Sequence, residues 1–112
     1  MIEQRTELSI ASEFTRTPGP RKRSEGDHSG EQFLEELLRP RFASTLETGG
    51  KLHVNLDGAA GYPTSFLEEA FGGLAREYGS SLVEQVLEFT CNDEPYLEAQ
   101  IRKYIREAKQ TK

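Results

Sequence analysis

With 112 residues, of which 35% are hydrophobic, the chain is long enough for one modest core, and we predict a single domain over 1–112. The formal net charge of -5 argues against a general binder of nucleic acid or of anionic membranes, because an acidic surface is repelled by both. A lone cysteine excludes an internal disulfide framework, and the lack of a long apolar run or a secretion signal favours a soluble, cytoplasmic protein.

The first predicted element is a strand near the N-terminus. Leu8, Ile10 and Phe14 are spaced so that apolar residues alternate with polar or small ones. A period of two is typical of a strand with one buried face. We expect this strand to join the same sheet as the later ones.

The segment 15–28 is predicted to be a flexible basic loop. Its sequence, TRTPGPRKRSEGDH, has no aliphatic or aromatic side chain with which to join a core. Its positive charges are either solvated, ordered on a partner, or part of a site that holds an anion together with the start of the next helix. The possible anion-binding residues are Arg16, Arg21, Lys22, Arg23, Ser29 and Gly30.

A helix is predicted to begin at Ser29. Ser29 and Gln32 have the spacing of a capping box, and apolar residues follow at helical intervals. Pro40 interrupts this pattern, so the residues beyond it form either a kinked continuation or a new short helix.

The segment after Lys51 predicts a strand, a tight loop and a second helix. Leu52 and Val54 alternate with polar residues, as in a strand with one apolar face. Ser65 and Glu68 then form a capping-box pattern, which predicts a helix that begins at Ser65.

Two further features concern the packing of this helix and the residues that follow it. Gly72 and Gly73 each cost a helix about 1 kcal/mol relative to alanine, which indicates close packing within the domain or against a partner. The sequence from Leu87 to Cys91 alternates like a third strand, with Cys91 a buried, inert thiol. Pro95 suits the start of an amphipathic C-terminal helix.

The polarity of the strands predicts how the layers are arranged. Strands that alternate with helices indicate an α/β sheet, yet each strand is half polar, so helices should cover only one face. The other face would be solvated or would meet a partner. It would carry His53, Asn55, Glu88 and Thr90.

Three motifs resemble one known family. The sequence LDG followed by an aromatic and proline turn and TSFLEEAFGGL, together with SGEQFLEELL at 29–38 and VLEFTC at 86–91, is similar to the STAS-like family of unknown function. That family is related in outline to the STAS domains of anti-sigma factor antagonists. The resemblance implies a small single-domain STAS-like α/β fold with a mixed sheet and helices on one face. It also implies a non-enzymatic regulatory domain that binds a protein partner, with a histidine-kinase-like ATPase as one candidate.

In the antagonists a partner kinase phosphorylates a Ser or Thr at a helix N-terminus, and the resemblance places this phosphoacceptor at Ser65, with Thr64 second. The other interpretation is that Ser65 only caps its helix, worth about 1 kcal/mol, while Thr64 fills the turn. The residues predicted to contact the partner are Asp57, Tyr62, Pro63, Thr64 and Ser65.

The sequence offers no constellation of catalytic residues. The two histidines lack the spacing of a metal site, and no nucleophile and base pattern is present, so we expect no enzyme activity, no metal and no cofactor. The alternative function is a module that binds a nucleotide or another anionic ligand at the basic loop and the helix N-termini.

Overall fold

The computed structural model describes residues 5–108, and its centre is a three-stranded parallel sheet. The strands β1 (Arg5–Ser9), β2 (Lys51–Asn55) and β3 (Leu87–Thr90) lie side by side in chain order. The α/β class is confirmed. Every pair in the described sheet is parallel, however, and not mixed, because each strand is joined to the next by a helical crossover.

Five helices and one short 3₁₀ helix, Arg23–Glu25, accompany the described strands. Helix α1 is Ile10–Glu13; α2 consists of Gly30–Phe33, the π-helical segment Leu34–Leu38 and Arg39–Thr48; α3 consists of Thr64–Leu67, the π-helical segment Glu68–Gly72 and Gly73–Tyr78; α4 is Ser80–Val86; and α5 is Leu97–Glu107. None of the helices within 5–108 is long and apolar enough to cross a membrane.

Helix α2 continues through Pro40 and does not restart there. The backbone stays helical at Leu38 and at Arg39. A proline has no N–H to donate, but the π-helical segment immediately before it already interrupts the regular hydrogen-bond ladder. The structure therefore adopts a continuation of the helix through Pro40 and not a new short helix.

The helices pack on one face of the sheet, as predicted. The connections from β1 to β2 and from β2 to β3 advance in the same direction across the sheet. Crossovers between parallel strands are normally right-handed, and two right-handed crossovers in the same direction place their helices on the same face. The inward strand residues and the helices form one core of fully buried side chains. Its largest members include Phe33, Phe42, Phe66, Phe71, Leu8, Leu52 and Ile101.

The outward face of the sheet is polar. His53 and Glu88 lie opposite each other in the β2–β3 register and keep 17% and 35% of their side chains exposed. The imidazole Nε2 of His53 lies 2.5 Å from the hydroxyl of Thr90 on the neighbouring strand. This face therefore presents polar side chains, in agreement with the half-polar pattern of the strands.

The first and third strands end earlier than predicted, and Ile10 and Phe14 lie beyond β1. The chain leaves β1 at Ser9, whose hydroxyl caps α1 by accepting a hydrogen bond from the Ser12 N–H at 3.3 Å. Cys91 lies just beyond β3, and its half-buried thiol is 3.6 Å from the Pro95 carbonyl. Cys91 packs against the core, as its predicted inward position requires, but it is only half-buried, because the strand ends at Thr90.

Candidate functional site

The N-terminus of α3 differs from the predicted capping box. Pro63, in an extended conformation, precedes the first helical residue, and its carbonyl accepts the Leu67 N–H at 3.2 Å. Ser65 is thus already inside the first turn, where its hydroxyl does not cap the helix. Glu68 turns away from the helix end and pairs with arginines, so the capping-box prediction was wrong.

The predicted phosphoacceptor residues lie at the surface. Pro63 and Thr64 are exposed, and Ser65 is half-buried, because the apolar side of this first turn begins only at Phe66. Thr64 and Ser65 therefore place two hydroxyls at the helix end that carries the positive pole of the dipole. Whether either residue accepts a phosphate stays a prediction.

Tyr62 holds the turn that precedes the helix. Its hydroxyl donates a hydrogen bond to the Leu56 carbonyl at 2.8 Å. Burial raises the pKa of the Tyr62 phenol, and the negative charges of Asp57, Glu94 and Asp93 raise it further. Tyr62 therefore remains neutral and acts as a hydrogen-bonded support for the loop.

The loops after β2 and β3 are tied together by their acidic side chains. The Asp57 carboxylate accepts the Asp93 N–H at 2.9 Å, and the Asp93 carboxylate accepts the Gly58 N–H at 3.0 Å. Gly58 has φ of 94°, a left-handed conformation that favours glycine. These contacts position the loops at the edge where the carboxyl ends of the parallel strands meet.

The loop after β3 brings an exposed aromatic side chain to this edge. Tyr96 is 61% exposed, and its hydroxyl donates to the Glu94 carboxylate at 3.0 Å. The sequence reasoning missed this loop, although ligand sites at the carboxyl edge of parallel strands are a general rule. We call the whole set the carboxyl-edge surface: Asp57, Tyr62, Pro63, Thr64, Ser65, Asp93, Glu94 and Tyr96.

The basic segment 15–28, which we call the strap, lies across α2 and α3. The Arg21 guanidinium pairs with Glu68 and with Glu69, the latter at 3.3 Å. The Lys22 ammonium lies 3.1 Å from a Glu69 oxygen. The strap thus supplies counter-charges to two carboxylates of α3, those of Glu68 and Glu69. The flexibility predicted for this segment stays a prediction.

Arg23 forms the second ionic contact of the strap. Its guanidinium lies 2.9 Å from Glu35 and 3.2 Å from Glu36, both on α2. Its backbone N–H donates to the Glu31 carboxylate at 2.9 Å. An anionic ligand would therefore compete with carboxylates for this arginine.

Backbone carbonyls of the strap also accept hydrogen bonds from the first N–H groups of α2. The Gly30 N–H donates to the Pro20 carbonyl at 2.8 Å, and the Glu31 N–H donates to the Arg21 carbonyl at 2.9 Å. Ser29 caps the helix as predicted, with its hydroxyl accepting the Gln32 N–H at 3.0 Å. Ser29 and Gly30 are therefore engaged inside the protein, and anion binding by them stays a prediction.

Arg16 lies near the N-terminal end of the strap. It is exposed, and its carbonyl accepts the Ala60 N–H at 2.8 Å, which joins the strap to the loop before α3. Anion binding by Arg16 stays a prediction.

The glycines of α3 are explained by packing inside the domain. A Cβ at Gly73 would lie 2.8 Å from a Leu34 methyl group, and a Cβ at Gly72 would lie 2.8 Å from a Glu68 carboxylate oxygen. That carboxylate accepts a hydrogen bond from Arg76 at 2.8 Å. Gly72 and Gly73 thus make room for an ion pair and for helix α2.

Glu68 is the centre of this charge network. Burial alone would raise the pKa of the Glu68 carboxyl, but hydrogen bonds from Arg76 and Arg21 outweigh it and hold the pKa below its usual range. Glu68 is therefore ionised at neutral pH and balanced by two arginines. No pocket and no cluster of three or more metal-binding side chains was found among residues 5–108.

Comparison with known proteins agrees with the motifs in the sequence. The family described as the STAS-like domain of unknown function (DUF4325) matches residues 29–97, more than half of the chain. The matched region runs from the cap of α2 to the first residue of α5 and includes β2, α3 and β3. No curated protein and no solved structure matches the chain.

Proposed function

Because the chain belongs to the family of STAS-like domains of unknown function, we propose that it is a non-enzymatic regulatory domain of the cytoplasm that binds a protein partner through the carboxyl-edge surface. The observation that carries the proposal is the first turn of α3, where Thr64 is exposed and Ser65 is half-buried and does not serve as a cap. Tyr96 supplies an exposed aromatic anchor of the kind that is enriched in interfaces.

The finer proposal is a partner switch controlled by phosphate on Ser65 or Thr64. A phosphate at a helix N-terminus is stabilised by backbone N–H groups and by the dipole. It adds about two negative charges, which change the affinity for a partner by charge repulsion and by loss of fit. The unmodified protein would bind its partner and the phosphorylated protein would release it.

The charge network supports this switch. Glu68 and Glu69 lie one turn beyond Ser65, where two uncompensated carboxylates would disfavour a phosphate. Arg21, Lys22 and Arg76 contact these carboxylates and reduce their repulsion. Glu68 and Glu69 therefore repel a phosphate at Ser65 less than two unpaired carboxylates would.

The partner that we propose is a histidine-kinase-like ATPase, as the family resemblance suggests. The test is affinity purification of the tagged protein from its native host, with and without ATP, followed by mass spectrometry of the partners and of the peptide 64–68. We expect an ATPase that is released as phosphate appears on Ser65 or Thr64, and a Ser65→Ala, Thr64→Ala double variant that stays bound. An unmodified peptide together with ATP-independent binding would contradict the switch.

Binding of a nucleotide or another anion is the weaker proposal. Arg21, Lys22 and Arg23 are paired with glutamates, so an anion would have to displace carboxylates to reach them. A titration with ATP distinguishes anion binding from the partner switch. Binding that is lost when these three residues are changed to glutamine would favour the ligand module over the partner switch.

A further inference from the structure

The strap is held by a repeated arrangement of charges. Each of the two π-helical segments carries a pair of adjacent glutamates, and each pair holds one arginine of the strap. Arg23 contacts Glu35 and Glu36 on α2. Arg21 contacts the equivalent pair on α3, Glu68 and Glu69.

The π-helical geometry helps to explain why both glutamates of a pair reach the same guanidinium. Adjacent residues of a regular α-helix point in clearly different directions and do not face one partner. A π turn contains more residues than an α turn, so neighbouring side chains diverge less. Planar guanidinium groups with several N–H donors suit such paired carboxylates better than an ammonium does.

The strap is anchored weakly between its ends. Residues 22–28 are all exposed and bury no apolar side chain in the core, and Arg21, Lys22 and Arg23 keep 38%, 47% and 42% of their side chains exposed. Exposed ion pairs, such as those of Arg23 with Glu35 and Glu36, contribute little stability and are screened by salt. The Arg21 pairs are less exposed, because Glu68 and Glu69 keep only 29% and 12% of their side chains exposed. The backbone–backbone hydrogen bonds that join this stretch to its surroundings lie at its ends, where the Gly19 N–H donates to the His28 carbonyl and the Gly30 N–H to the Pro20 carbonyl. Within the stretch, the Arg23 N–H donates to the Glu31 carboxylate.

The hydrophobic core beneath the strap contains no residue of the strap. Phe33 and Phe66 are fully buried and stack on each other with ring centroids 5.8 Å apart. Segments with exposed hydrogen bonds and little apolar burial are the ones that open locally while the rest of a protein stays folded. The strap can therefore lift while the aromatic core remains packed.

We propose that the strap is an autoinhibitory cover. It occupies an acidic surface, formed by the two glutamate pairs, that fits a partner segment with two arginines separated by one residue. The strap itself, with Arg21 and Arg23, shows the spacing that this surface accepts. Because the strap is tethered, its effective concentration is high, and it excludes competing segments until its ionic contacts are weakened.

The first test uses hydrogen exchange on the full chain. In an Arg21→Gln, Arg23→Gln variant, and in the wild type at about 1 M salt, where charges are screened beyond about 3 Å, the amides of Gly19, Gly30 and Glu31 should exchange at least several-fold faster. The core amides of β2 should be unchanged. An Arg106→Gln variant, which loses an ion pair with Glu84, is the matched control and should leave the strap amides unchanged. Unchanged exchange in both the variant and high salt would overturn the proposal.

The second test supplies the occupant in trans. The probe is a peptide with the sequence of residues 20–26, titrated by NMR into the Arg21→Gln, Arg23→Gln variant at low salt. We expect it to shift the resonances of both π-helical segments and to bind the variant at least several-fold more tightly than the wild type. The same peptide with its arginines changed to lysine should bind more weakly. No shifts up to millimolar peptide, or equal binding after all four glutamates are changed to glutamine, would overturn the proposal.

Discussion

Asp57 and Asp93 follow neighbouring parallel strands, and the carboxylate of each accepts a backbone N–H from the loop of the other, at 2.9 Å from Asp93 and at 3.0 Å from Gly58. This reciprocal contact joins the loop before α3 to the loop before α5. The surface that we propose for the partner thus rests on a hydrogen-bonded framework and is not a free loop.

Removal of one half of this contact should destabilise the protein. We expect Asp57→Ala to lower the free energy of unfolding by about 1–2 kcal/mol, because it leaves the Asp93 N–H without its charged acceptor. Asp57→Asn keeps an acceptor oxygen and is the matched control, with a smaller loss. Urea denaturation of the three proteins measures the difference, and equal midpoints for Asp57→Ala and wild type would contradict it.

Gly30 should not tolerate even a methyl group. A Cβ at this position would lie 2.6 Å from the Phe66 carbonyl oxygen, a backbone atom that cannot turn aside. We expect Gly30→Ala to cost about 2–3 kcal/mol, since α2 and α3 would have to separate. Gly61 is the control, because a Cβ there would meet nothing within 4 Å and its alanine variant should be nearly neutral. Thermal unfolding of both variants distinguishes the two sites.

The charge network at Glu68 should make stability depend on pH. Because Arg76 and Arg21 hold the pKa of folded Glu68 below 4.5, the folded state binds fewer protons than the unfolded state. The resulting stabilisation is complete above the unfolded pKa and is lost as the pH falls through the lower, folded value. Glu68→Gln should therefore show a smaller loss of stability than wild type on acidification from neutral pH. Urea midpoints measured across the acidic range test this, and parallel pH profiles would contradict it.

Tyr96 should matter for the partner and not for folding. Its side chain is 61% exposed, so Tyr96→Ala removes little buried area. If Tyr96 anchors the partner, its loss should weaken binding by about tenfold or more, as for interface residues that cost over about 1 kcal/mol when truncated. Lys103→Ala, at an exposed position of α5, is the control. Calorimetric titration with the purified partner is the measurement, and equal affinities for the two variants would remove Tyr96 from the interface.

Local patterns in the sequence were sufficient for much of the fold. The alternation around Leu52 and Val54 predicted β2, because burial on one face repeats every second residue along a strand. Ser29 was recognised as a cap, since a cap and its helix lie within four residues of each other. The one-sided arrangement of helices followed from the half-polar strands.

Other local patterns were overruled by neighbouring residues. Ser65 and Glu68 have the spacing of a capping box, yet Pro63 starts the helix earlier and Glu68 is drawn to arginines from elsewhere. The parallel pairing of all three described strands also depends on the path of the crossovers, which strand periodicity does not contain.

The sequence by itself determined the α/β class, the family and the position of the hydroxyls at the start of α3, because each depends on residues close together in the chain. Only the tertiary structure decided what the charged residues do. Arg21 and Glu68 are 47 positions apart, and Asp57 and Asp93 are 36 apart. Contacts at such separations arise from the packing of helices and strands, so composition could show that the strap was basic but not that its charges were already paired.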